Sequence, residues 1–280
     1  MTPASAPRQP SLLFSTARIF DLSLGQMLWS RRSVFLGLLV GGPVVLAVAV
    51  RVVFALFTVG VNVNRARVPG DVVFGVMMWL LYVRFIVPVL GVFYGTAFIA
   101  DEVDDRTITY LFTRPIPRRA VLFGKYLAYL VCSALLVLPS AMLVFFLIVP
   151  TGGGSIAQAF PGLLTDLGML VIGLAAYGAV FAFVGARVRR PLLIGLLFAL
   201  GWEPTVLIVP GYLKRLSIAY YLQALVVHDV PQDSGPLVIL QAFRESPSLV
   251  VALMALAVIV VAALWLAGRV VERREYVLEQ

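Results

Sequence analysis

The chain has 280 residues, 61% of them hydrophobic and only 13% charged, with a formal net charge of +8. Several apolar runs exceed about 18 residues, which excludes a soluble single-core domain and places the chain in a membrane. One cysteine and one histidine exclude an intrachain disulfide and leave too few soft ligands for a tight protein-built metal site.

Residues 1–32 read as a cytoplasmic segment. Thr2–Gln9, with Pro3, Pro7 and Pro10, has the composition of a disordered tail. Next, Ile19, Phe20, Leu22, Leu24, Met27, Leu28 and Trp29 mix with Arg18, Asp21, Gln26 and Ser30, the pattern of an amphipathic helix lying in the membrane interface. A secretory signal would place a shorter apolar core nearer the start, followed by a small-residue cleavage site, so the first span is expected to stay in the mature protein.

Six spans are predicted, near residues 33–53, 73–97, 121–149, 163–186, 192–209 and 249–268, making one transmembrane domain over 33–268 with a cytoplasmic tail at 269–280. A hydrocarbon core of ~30 Å needs ~20 helical residues. An isolated strand would leave its backbone unpaired in lipid, and the ~10-residue alternating segments of a barrel are absent, so the fold class is all-α integral membrane protein.

Lys and Arg counts orient it. The N-terminal segment holds four, 101–125 five, 187–190 three and the tail from Arg269 three, against five on the opposite set of connections: Arg65, Arg67, Lys214, Arg215 and Arg244. This bias puts both termini, the 101–125 connection and the Arg187–Arg190 turn in the cytoplasm.

The 101–125 connection is the most charged stretch. Asp101, Glu102, Asp104 and Asp105 precede Arg106, Arg114, Arg118, Arg119 and Lys125. Val103, Ile108, Leu111 and Phe112 among these charges predict a short interfacial helix over about 102–112. Arg114-Pro115-Ile116-Pro117-Arg118 stops it, because each proline biases its predecessor away from helical angles. A short helix held between two rigid spans is a lever that can transmit a push from a bound soluble partner.

On the other side, Thr151-Gly152-Gly153-Gly154-Ser155 makes a flexible turn. Neither it nor Gly124-Lys125 has phosphate-loop spacing, so the chain carries no ATPase of its own. The stretch 210–247 is long for a connector. Leu213, Leu216, Ile218, Tyr220, Tyr221, Leu222, Leu225 and Val226 predict an interfacial or partly re-entrant helix, and a second short piece runs over 237–243. His228, Asp229 and Asp233 read as solvated loop.

Two charges fall inside spans: Arg84 in the second and Glu203 in the fifth. An isolated intramembrane charge costs at least ~2.5 kcal/mol, so a partner is expected. The pair reads either as a structural ion pair or as an element of a substrate path. Arg51, near the end of the first span, snorkels to the headgroups. Gly37-x-x-x-Gly41, Gly91-x-x-x-Gly95 and Gly195-x-x-x-Ala199 permit close helix contact.

The order Glu102, Thr107, Leu111, Pro115, Arg118, Gly124, Lys125 resembles the cytoplasmic loop of type-2 ATP-binding-cassette exporter permeases, with Arg106 where that family commonly has Gly. The six spans, cytoplasmic termini, amphipathic first helix and long outer segment are similar too. The resemblance implies a permease subunit in the cytoplasmic membrane that moves substrate by alternating access. Residues 102–112 would be a coupling helix docking on a separate ATPase subunit, with Glu102, Arg106, Thr107, Leu111, Arg114, Pro115 and Arg118 as contacts. Two ATPase copies, holding ATP and Mg, would serve two permease chains, identical or related. This chain would need no cofactor and no nucleic-acid partner. In that family the first and fifth spans face the second permease, making Gly37, Gly41, Gly195 and Ala199 candidates for the dimer seam. A secondary transporter would show related halves. An intramembrane enzyme acting on lipids or peptides would need a nucleophile or base held inside the bundle, yet the one histidine lies outside and Glu203 lacks an acidic partner.

Overall fold

A computed structural model of the chain describes residues 12–57, 62–63, 66–67, 70–98, 118–151, 154–208, 212–226 and 247–273. Within them, helix α1 covers Leu12–Leu28 and α2 covers Arg31–Phe57. A two-residue antiparallel ladder, Asn62–Val63 with Ala66–Arg67, follows. Helix α3 runs Gly70–Gly95, α4 Arg118–Ile148 and α5 Ile156–Arg187. Helix α6 covers 191–208, then come a 3-10 turn at Tyr212–Leu216, α7 at Ile218–Gln223 and α8 at Leu249–Arg273.

Five of these helices (α2, α3, α4, α5 and α8) are long and apolar enough to cross a bilayer. The chain is therefore a multi-pass all-helical membrane protein. Helix α6, placed where the fifth span is expected, is shorter: at ~1.5 Å per residue its run extends about 27 Å, just under the ~30 Å hydrocarbon core. Helix α5 starts at Ile156, ahead of the apolar run that opens at Leu163, and carries Pro161 within it. The predicted helix over 102–112 and the piece over 237–243 lie outside the described residues.

Small residues set the helix spacing. A Cβ placed on Gly91 would lie 2.8 Å from the Cβ of Tyr177, and one on Gly95 2.8 Å from the Cβ of Phe181. The Gly91-x-x-x-Gly95 motif thus lets α3 and α5 cross at backbone distance within one chain. Hydroxyls then tie the helices together. Tyr82 shares a 2.7 Å hydrogen bond with Ser140, whose Oγ donates to the Val40 carbonyl at 2.8 Å, so α2, α3 and α4 meet on one serine. Tyr129 donates to the Leu174 carbonyl at 2.9 Å and Tyr126 to that of Ala175 at 3.0 Å, joining α4 to α5. In lipid such bonds have no water to compete with them, although each is worth only about 0.6–2 kcal/mol net.

Helix α1 packs along α4, and its outer face mixes exposed Arg18, Asp21 and Gln26 with apolar side chains. Ser15, Thr16 and Ser23 are buried against the bundle, whereas Phe14, Leu22, Leu28 and Trp29 point outward, Trp29 at 92% exposure. Gly124 makes the contact possible: a Cβ there would sit 2.8 Å from Ile19. A break at Trp29 and Ser30 separates α1 from α2, and the Ser30 hydroxyl accepts from the Ser33 amide at 3.1 Å, capping the new helix.

Candidate functional site

Both ends of the segment 99–117 are anchored. Helix α3 is followed to Phe98, and α4 opens at Arg118. Lys125, about two turns into α4, donates from Nζ to the Phe98 carbonyl at 3.0 Å. Next to it, Gly124 receives α1. Arg119 reaches the last helix instead: its Nε lies 2.5 Å from Glu272 Oε1 and its Nη2 donates to Oε2 at 2.7 Å. The segment's frame thus joins α1, α3, α4 and α8. Glu102, Arg106, Thr107, Leu111, Arg114 and Pro115 fall outside the described residues, and Arg118 is described only by its backbone at the start of α4.

Deeper in the bundle, the helices that carry Arg84 and Glu203 have widened turns. Helix α3 is π-helical over Met78–Ile86 and again over Gly91–Gly95, with the Val87 amide reaching back to the Tyr82 carbonyl. Helix α6 is π-helical over Leu197–Trp202, and the Glu203 amide reaches back to Phe198. Such turns are uncommon and frequently mark functional positions. Arg84 lies within the first and Glu203 directly follows the last.

Glu203, 3% exposed, spends its carboxylate on α7. It accepts from the Ser217 hydroxyl, from the Ile218 amide at 2.9 Å and from the Ala219 amide at 3.3 Å. These are first-turn donors that a short helix leaves unsatisfied, and a carboxylate is the strongest available acceptor for them. The Ser217 hydroxyl takes the Tyr220 amide at 3.3 Å, completing the cap. Helix α7 packs into the bundle: Ile218, Ala219 and Leu222 are buried, and Leu222 lies against Gly173 on α5, beside Val87 of α3. Irregular backbone at this depth is tolerated because protein, not lipid, surrounds it.

Tyr177 on α5 lies against the Glu203 carboxylate. Half-buried Arg84 interacts electrostatically with both Glu203 and Tyr177. Among the described residues no ion pair joins Arg84 to Glu203, whose hydrogen bonds go to Ser217 and the first amides of α7. The three side chains bring α3, α5 and α6 together around the buried end of α7, forming a polar patch in an otherwise apolar interior.

The described residues form a helical bundle with a charged connection between α3 and α4 and a short buried helix ahead of α8. The model of the ABC-2 family transporter proteins matches residues 80–267, about two thirds of the chain. The chain belongs to the ABC-2 transporter family. It is therefore a membrane component of a transport system. No curated protein matches the chain.

The stretch matched to the ABC-2 family runs from Leu80 to Ala267. It contains the anchored connection, Arg84, Tyr177, Glu203 and α7, and leaves out α1 and α2 with Gly37 and Gly41. On α2, a Cβ at Gly37 or Gly41 would meet nothing within 4 Å, so that face is open. Gly195 and Ala199 face the other way. A Cβ on Gly195 would lie 2.9 Å from Val92 of α3, and Ala199 is buried. Both pack α6 onto α3 within the chain, while Leu193, Ile194, Leu197 and Leu200 occupy the outward face of α6.

Asp166 is a residue that pattern reading passed over. It sits inside α5 with no exposed surface. Its signal was available as the lone carboxylate in the apolar run that follows Pro161. Tyr177 gave none, because a tyrosine in a span is ordinary. Among the described residues no three potential metal-ligating side chains come together.

Proposed function

We propose that the chain is the permease of an ATP-driven exporter, with the connection over 102–118 docking on a separate cytoplasmic ATPase subunit. Two ATPase copies, with their ATP and Mg, drive two permease chains between inward-open and outward-open states. The termini and the connection face the cytoplasm of the cell membrane, in line with the Lys and Arg bias.

The supporting observation is the frame around the connection. Lys125 holds Phe98, Arg119 holds Glu272 and α1 sits on Gly124. A push delivered to the ends of the segment would reach α1, α3, α4 and α8. Within this reading Arg84, Tyr177 and Glu203 line part of the substrate path. The α7 cap makes Glu203 a residue that holds the path's shape, and Arg84 the more available charge.

Affinity purification of the tagged chain from its native membrane tests the reading. The complex should hydrolyse MgATP, and Leu111→Asp or a paired charge reversal at Arg114 and Arg118 should strip off the ATPase. Nucleotide hydrolysis by the chain alone, or an extracytoplasmic location of 102–118, would overturn it.

A further inference from the structure

A groove of about 490 Å³ lies where α5 ends against α8. Three arginines, Arg187, Arg269 and Arg273, line it together with Trp265, Leu266 and Val270. No carboxylate is among these six. The nearest one on α8, Glu272, turns to the neighbouring face, where Arg119 holds it. Among the described residues, three guanidinium groups thus share one groove whose lining holds no carboxylate.

The groove also has a polarity gradient along the membrane normal. From Trp265 to Arg273 is eight residues, or about 12 Å at the helical rise. Its deep end is apolar and its outer end cationic. Below it, the lipid-facing side of α8 continues with Val258, 66% exposed. The Arg269 guanidinium lies 3.9 Å from the centroid of the Trp265 ring, which holds the charge against the groove wall and limits its rotamers. A free anion needs only the arginines. A ligand with a phosphate at one end and a hydrocarbon tail at the other uses the whole surface.

We infer that this groove binds an anionic glycerophospholipid, with the headgroup phosphate among Arg187, Arg269 and Arg273 and an acyl chain along Trp265 and Leu266. Basic pockets between transmembrane helices are a recurrent solution for such headgroups, and arginine suits phosphate because its fork donates two parallel hydrogen bonds. A bound lipid would bridge α5 and α8 at the end where α8 also holds Arg119. The inference does not depend on which cargo is moved.

The test uses the full chain extracted from nanodiscs holding equal phosphatidylglycerol and phosphatidylcholine, with retained lipids counted by native mass spectrometry. Phosphatidylglycerol should be retained over phosphatidylcholine. The triple variant Arg187→Gln, Arg269→Gln, Arg273→Gln should lose it roughly tenfold or more. Arg189→Gln with Arg190→Gln, two exposed arginines outside the groove, should retain it. Should the triple variant fail to fold, Arg269→Gln alone should still weaken retention about fivefold. Equal retention of the two lipids, or unchanged retention in the arginine variants, overturns the inference. Displacement by millimolar inorganic phosphate marks a free-anion site and also overturns it. So does loss of a co-purifying ATPase from the triple variant while the lipid stays.

Discussion

Lys125 donates to the carbonyl of Phe98 across 27 positions of chain, closing the base of the connection between α3 and α4. The lysine is the second residue of the Gly-Lys pair that marks where the chain re-enters the membrane. It satisfies a main-chain acceptor three residues past Gly95, where α3 ends.

Lys125→Met keeps the stem and removes the donor. The expected cost is about 1.5–3 kcal/mol, the range for a hydrogen bond to a charged group. Limited trypsinolysis of membranes should then cut faster after Arg106. Unchanged cleavage and unchanged thermal stability would show that the bond does not hold the segment's frame.

Glu203→Gln preserves shape and leaves one acceptor for several donors. Loss of the carboxylate cap is expected to cost about 1–3 kcal/mol and to loosen α7. A cysteine at Ala219, protected in the parent, should become accessible to a membrane-permeant thiol reagent in the variant. Equal labelling in both would mean that the carboxylate does not seat α7.

Arg84→Gln should disturb stability less than Glu203→Gln does, because Arg84 is coupled to Glu203 through the field and not through a bond. A double-mutant cycle on thermal stability measures this directly. The expected coupling energy is below the single cost of Glu203→Gln. A coupling as large as that cost would reveal a direct pair. If transport also falls in Arg84→Gln while stability holds, Arg84 acts on the cargo path.

The glycines separate fold from assembly. Gly91→Leu and Gly195→Leu drive side chains into Tyr177 and Val92, and overpacking of this kind typically costs about 1–3 kcal/mol, more where backbones touch. Both should reduce the folded monomer on size-exclusion chromatography. Gly41→Leu should leave the monomer intact. If α2 forms the seam between two permeases, that substitution alone should lower cross-linked dimer.

Long apolar runs announced α2, α3, α4, α5 and α8 because about 20 residues of hydrocarbon-compatible side chain leave few other solutions. Other features had no such code. The outward face of α6 was open because Gly195 and Ala199 differ from Leu193 and Leu197 only in helical phase, and the π-helical turn at 197–202 shifts that phase. The partner of Glu203 was hidden for a different reason. It is main chain, so no complementary charge in the sequence points to it. The burial of Ile218, Ala219 and Leu222 inside the bundle left no mark of its own, since an interfacial helix and a re-entrant one need the same apolar side chains.

Helix α7 has a consequence for biogenesis. Six residues are too few to partition into lipid unaided, and the first-turn amides of α7 find their acceptor on α6. Its resting place against Gly173 and Val87 exists only once α3 and α5 have come together. Insertion of α7 is therefore a late, post-integration event that completes an interior already assembled. Variants that weaken the crossing at Gly91 and Gly95 should accumulate as integrated but unsealed bundles, the form most exposed to membrane quality-control proteases.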